Sequence, residues 1–103
     1  YSDEHILDMI SFFDKNSKLL LVLIKWNLIE LIAKYNTEIV LSYTQRYKNK
    51  FIREHAFYFI SYYHSSLFNI CTCWITNGKQ ESIETLFKII KEFEKIKFIQ
   101  KAI

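Results

Sequence analysis

The chain has no proline and one glycine, Gly78, in 103 residues. Most sheet architectures need Gly, Pro, Asn or Asp at each reversal, so this scarcity excludes them. It also excludes a Gly-rich phosphate loop. Cysteine is confined to Cys71 and Cys73. Two apart on a helix, these point in different directions and can neither bridge each other nor chelate one metal. Free thiols of this kind suit a reducing cytoplasm. Charge is missing from a long stretch: there is no Asp, Glu, Lys or Arg between Glu54 and Lys79. Arg and Ala are scarce, two and three residues against sixteen Ile and twelve Lys, a bias that suits an AT-rich bacterial genome.

What is present is hydrophobic: half of the residues, in runs spaced three and four apart. This excludes disorder and points to one all-α domain over residues 1–103. The net charge of +3 is mild and does not mark a nucleic-acid surface. The chain opens on Tyr1 and is read as part of something longer.

An uncharged segment must be covered by a membrane, a core or a partner. Its Ser61, Ser65, Asn69, Thr72 and Thr76 form, with Glu54 and Tyr58, one polar stripe on a helical wheel. A spanning helix would present those groups to lipid without partners, so no membrane span is expected. The remaining residues fill the rest of the circumference: Ile52, Ala56, Phe59, Tyr63, Leu67, Ile70 and Trp74 on one side, next to it Phe57, Ile60, His64, Phe68, Cys71 and Ile75, and flanking the other way Tyr62, Ser66, Asn69 and Cys73. That arc is about 220° wide, whereas a core-facing stripe needs only about 100° or somewhat more. One side is expected to face the core and another a second copy or an absent domain.

Five helices are expected in an antiparallel bundle. The first runs over about 3–13, capped by Ser2, with Ile6, Leu7, Ile10 and Phe13 buried. The second covers about 18–26 after a cap at Asn16 or Ser17. The third covers about 28–43, with Asn27 as a cap, Ile29, Ile32, Ile39 and Tyr43 along one side and a solvated Glu30, Lys34, Glu38 row. Residues 44–49 form a loop. The fourth, uncharged helix covers 50–77 and ends at Gly78 in left-handed conformation. Ser82 caps the fifth, about 83–101, whose Ile83, Leu86, Phe87, Ile90 and Phe93 share a side. The last two helices then make half of a four-helix bundle, completed by a two-fold axis.

Catalytic constellations are absent from the pattern. His5, His55 and His64 lack ligand spacing, and Asp3, Glu4 and Asp8 only compensate a helix dipole. No enzyme activity, metal or cofactor is expected. The turn at 77–81 does not open a DNA-reading helix either, because the next helix begins with Ile83, Leu86 and Phe87 rather than polar and basic groups.

The stretch from Tyr62 through Trp74-Ile75-Thr76-Asn77-Gly78 to Ser82 resembles the end of tetracycline-repressor (TetR) family regulators. There an aromatic-rich helix leads to Trp-Ile or Trp-Leu, then Asn-Gly, then a Ser capping the last helix. The Lys15-Asn16 turn and the apolar run to Ile24 are similar to the same subgroup. Together the matches cover about two thirds of the chain. Two positions depart: Ser66 stands where Gly is usual, and Ile83 where a proline often follows the cap.

The resemblance implies the C-terminal regulatory domain of a cytoplasmic bacterial regulator, taken as a repressor, with its DNA-binding helix-turn-helix domain absent from this chain. DNA would be contacted only through that domain. The last two helices would form a homodimer seam, with Tyr62, Ser66, Asn69, Cys73, Phe87 and Ile90 at the interface. A small apolar or aromatic effector would bind among the earlier helices, against Trp26, Tyr35, Tyr63, His64 and Phe68, and shift the tilt of the DNA-binding heads. Each of these residues also fits plain core. The competing class is an all-α homodimeric interaction or adaptor module without a ligand.

Overall fold

The computed structural model describes residues 3–43 and 46–96. The expected Ser2 cap, the loop residues Thr44 and Gln45, the helical end up to Lys101 and the side chains of Ile39 and Tyr43 lie outside the described residues. Every regular element among the described residues is a helix: α1 (Asp3–Lys15), α2 (Ser17–Lys25), α3 (Ile29–Tyr43), α4 (Lys50–Glu54), α5 (Ala56–Thr76) and α6 (Ile83–Ile96). The all-α class is therefore as expected.

α5 is the centre of the fold. α3 and α1 pack on it most closely, and α2 closes one side. The core joins Ile6, Ile10 and Phe13 of α1 and Leu20 of α2 to Leu67, Phe68, Cys71, Trp74 and Ile75 of α5, with Leu86 and Ile90 of α6. Phe13 meets Phe68 edge to face, ring centroids 4.9 Å apart, an arrangement that adds to the area the two rings bury. On α1 the buried stripe takes Met9 rather than Leu7, which is 37% exposed. On α3 the Glu30, Lys34, Glu38 row faces solvent as expected.

The expected single helix over 50–77 is two. His55 leaves helical geometry at φ −119°, ψ 34°, and separates α4 from α5. Its Nδ1 donates to the Phe51 carbonyl at 2.9 Å and its ring lies over the Phe51 ring, centroids 4.4 Å apart. The side chain thus competes locally with the helical ladder. Asn49 begins α4 by accepting the Ile52 N–H at 3.1 Å.

The helix ends follow ordinary capping physics. After α5, Gly78 takes φ 83°, the Gly78 N–H bonds to the Ile75 carbonyl at 3.3 Å and the Lys79 N–H to the Trp74 carbonyl at 2.9 Å. This is a Schellman ending. α2 ends in the same way, with Asn27 at φ 59° and the Leu28 N–H on the Leu23 carbonyl at 2.7 Å. Asn27 therefore closes α2 rather than capping α3, because Asn tolerates left-handed backbone. Ser82 caps α6, its Oγ accepting the Thr85 N–H at 3.1 Å. The expected cap at Asn16 makes no side-chain cap bond; its Nδ2 donates instead to the Phe12 carbonyl.

α5 and α6 run antiparallel but do not form a tight hairpin. Their backbones approach each other less closely than each approaches α1. Near the turn Trp74 and Leu86 close the gap; further out Ile6 of α1 lies between the helices. Lys91 of α6 pairs with Asp3 of α1 at 2.9 Å, and Lys79 pairs with Asp14 at 3.1 Å.

A Cβ at Gly78 would meet nothing within 4 Å, so backbone conformation alone resists substitution there. Gly78→Ala is expected to cost about 1 kcal/mol, measured by urea unfolding, without altering the folded far-UV spectrum.

Candidate functional site

The α5–α6 side carries the most unusual surface. α5 has 21 residues and no charge, yet Ser61, Ser65, Ser66, Asn69, Cys73 and Thr76 are exposed. Most of these hydroxyls do not reach for water. Ser61 Oγ donates to the Phe57 carbonyl at 2.9 Å, Ser66 Oγ to the Tyr62 carbonyl at 2.7 Å, and Thr76 Oγ1 to the Thr72 carbonyl at 2.9 Å. Partly buried Thr72 does the same to Phe68 at 2.9 Å. Polar groups satisfied inside their own helix can be covered without leaving a buried donor unpaired. Small side chains at four-residue spacing, Ser61, Ser65, Asn69 and Cys73, also let a second helix approach closely.

Beside this strip lies the α5–α6 cleft. Its outer part holds about 210 Å³, with Ile6 as floor, Tyr62, Ser66 and Ile70 on one wall and Ile90 and Phe93 on the other. Tyr62 and Phe93 stand at its lips, 64% and 53% exposed. A second depression of about 190 Å³ continues along Ile70, Cys73, Trp74 and Ile89. Trp74 is satisfied within the fold, its Nε1 donating to the Glu81 carbonyl at 2.9 Å. Of the residues expected at a seam, Tyr62, Ser66, Asn69 and Cys73 are exposed and Phe87 is half-buried. Ile90 is in the subunit's own core.

The residues expected to line an effector cavity do not converge. Trp26 and Tyr35 are largely exposed and line neither the α5–α6 cleft nor the depression beyond it. Phe68 is core, against Phe13. Tyr63 lines the outer cleft and also a shallow trough at the α4–α5 break, formed with Phe51, His55, Tyr58 and Phe59 and holding about 660 Å³. Sequence reasoning missed this trough. Its signal was available in the alternation of basic and aromatic residues from Arg46 to Tyr58, read only as a loop and a helix start.

Among the described residues His64 is the one buried polar side chain, 1% exposed, and neither of its ring nitrogens has a hydrogen-bond partner there. Its ring centroid lies 6.0 Å from that of His5 on α1. Burial, with the neighbouring His5 as a smaller cause, pushes the imidazole down from 6.5 to about 4. Burial likewise lowers His5 and pushes the Cys71 thiol up to about 12, which keeps it protonated. Among the described residues no three His, Cys, Asp or Glu side chains could hold a metal ion together, and no helix is long and apolar enough to cross a membrane. No family model, curated protein or solved structure matches the chain.

Because the folded state disfavours protonated His64, the unfolded chain takes up that proton first as pH falls. Its contribution to stability is whole above pH 6.5, declines down to about pH 4 and then levels off. His64→Leu is expected to remove about 2 kcal/mol of that acid sensitivity while leaving neutral-pH stability equal or higher. Urea unfolding at neutral pH and near pH 4.5 reads both; an unchanged pH slope would assign the loss to another group.

Proposed function

We propose that this chain is the dimerisation and effector-sensing domain of a TetR-type transcriptional regulator, acting in the bacterial cytoplasm. The observation that carries the reading is the exposed, uncharged strip of α5, whose hydroxyls are largely satisfied within the helix. Water-facing helices of small domains bear charge; this one is prepared for contact with another helix. The resemblance of Trp74, Ile75, Asn77, Gly78 and Ser82 to the end of TetR-family regulators supports the same face as the seam.

A two-fold axis along the strip would bring Ser61, Ser65, Asn69 and Cys73 against their mates. Tyr62 and Phe93 are then knobs, and the outer cleft, about 210 Å³, is a hole of the size one aromatic side chain fills. Knob and hole on the same patch are what an isologous interface requires. Ile90 would support the hole from below rather than cross the seam. On this reading DNA is bound by a helix-turn-helix domain outside these residues, and repression is relieved when an effector favours another arrangement of the two subunits.

A second reading, an all-α homodimeric adaptor without a ligand, is favoured by one observation. Phe68 and His64 lie in packed core, whereas Trp26 and Tyr35 are largely exposed. Both readings share the seam.

Ser66→Phe places a bulky ring on the strip and is expected to convert the dimer to a monomer, whereas Ser66→Ala retains it. Light scattering of the two variants measures this; a Ser66→Phe variant of unchanged mass would move the seam elsewhere.

A further inference from the structure

We infer that the trough at the α4–α5 break is a binding site for a planar aromatic anion. It holds about 660 Å³, within the range of small-molecule sites, and rings form most of its lining: Phe51, His55, Tyr58, Phe59 and Tyr63. Phe51 and Tyr58 expose 70% and 73% of their surface. The rings are already ordered in pairs, Phe51 on His55 at 4.4 Å and Phe59 on Tyr63 at 4.7 Å. A flat guest therefore finds prearranged faces and displaces water from apolar surface.

Charge decides the sign of the guest. A cluster of aromatic faces alone also suits a quaternary ammonium ion. Here α4 carries Lys50 and Arg53 beside the lining residues Phe51 and Ile52, Arg46 and Lys48 precede it, and Glu54 is the single acid of the segment 46–54. These five side chains account for the whole net charge of +3, since basic and acidic residues cancel over the remainder of the chain. A cation is disfavoured at such a place and a carboxylate, sulfonate or phosphate is favoured.

Arg53 organises the approach to α4, donating to the Tyr47 carbonyl and, at 2.8 Å, to the Lys48 carbonyl. Lys50 makes an exposed 3.7 Å pair with Glu54, a contact an incoming anion can replace at little cost. Lys48 has no ion-pair partner among the described residues. Stacking on the rings and attraction to these groups select a guest that is both flat and negative. The inference is independent of the regulator reading, because it invokes neither the α5–α6 seam nor any change of subunit arrangement.

Calorimetric titration of the whole chain with 2-naphthoate tests it, with neutral 2-naphthylmethanol and non-planar cyclohexanecarboxylate as matched probes and adenosine monophosphate to represent a nucleotide source. Saturable one-to-one binding of 2-naphthoate, at least about tenfold tighter than either matched probe and weakened by salt, is expected. A nucleotide that binds more tightly than naphthoate would assign the site to phosphate-bearing bases; the reverse would assign it to aromatic acids. Phe51→Ala and Tyr58→Ala should each weaken binding at least about fivefold with little change in melting temperature, as both rings are exposed. Trp26→Ala should leave it unchanged. Equal affinity for the neutral naphthalene, an affinity untouched by both trough variants, or no binding at millimolar 2-naphthoate would each overturn the inference.

Discussion

A helix without charge must find cover over most of its circumference, and the arrangement of this protein follows from that demand on α5. The side with Ile60, Leu67, Phe68, Cys71 and Ile75 is buried. α1 and α3 do most of the covering, with Phe13 driven against Phe68 and Leu20 of α2 at the edge. A fully buried Leu, Ile or Phe side chain contributes about 1.5–3 kcal/mol. The α1–α5 contact therefore outweighs the exposed ion pairs at Lys79 and Lys91, which solvent screens. Within this contact the structure tolerates the buried His64 imidazole, whose ring nitrogens have no hydrogen-bond partner among the described residues, at the cost of acid sensitivity.

The same demand explains where α6 goes. With α1 already seated on α5, α6 takes the remaining flank of α1 and only its first turns reach Trp74 and its neighbours. The cleft that results, floored by Ile6, and the uncharged strip beside it are two parts of one surface. In the proposed dimer that surface is the interior of a four-helix arrangement, and the hydroxyls of Ser61, Ser66, Thr72 and Thr76 stay satisfied inside the helix when covered. The trough at the α4–α5 break lies at the other end of the exposed aromatic run and follows from the His55 kink, which turns Phe51 over the start of α5.

Much of this was legible in the chain. Periodicity located the helices, Gly78 and Ser82 marked the two caps at the last turn, and the Ser61, Ser65, Asn69, Thr76 stripe faces outward as its spacing required. The failures have local causes. His55 interrupts a helix with neither Gly nor Pro, through a side-chain bond to Phe51 that composition does not signal. Asn27 sits at a helix junction where the same residue serves as cap or as left-handed terminator, and the Leu23 bond decides for the latter. Wheel analysis placed Ile90 on the right side of α6 but not its burial by Ile6, which depends on α1 standing between α5 and α6. The effector wall was assembled from aromatic residues on three helices; type alone does not bring them together, and Trp26 and Tyr35 lie apart from the core that holds His64 and Phe68.

In the proposed dimer the uncharged face of α5 meets a second copy of itself. Sedimentation equilibrium of the unaltered chain over a wide concentration range tests this most directly. A mass of twice the 12.5 kDa of one chain is expected at the higher concentrations, relaxing to the single mass on dilution. One 12.5 kDa species at every concentration would contradict it.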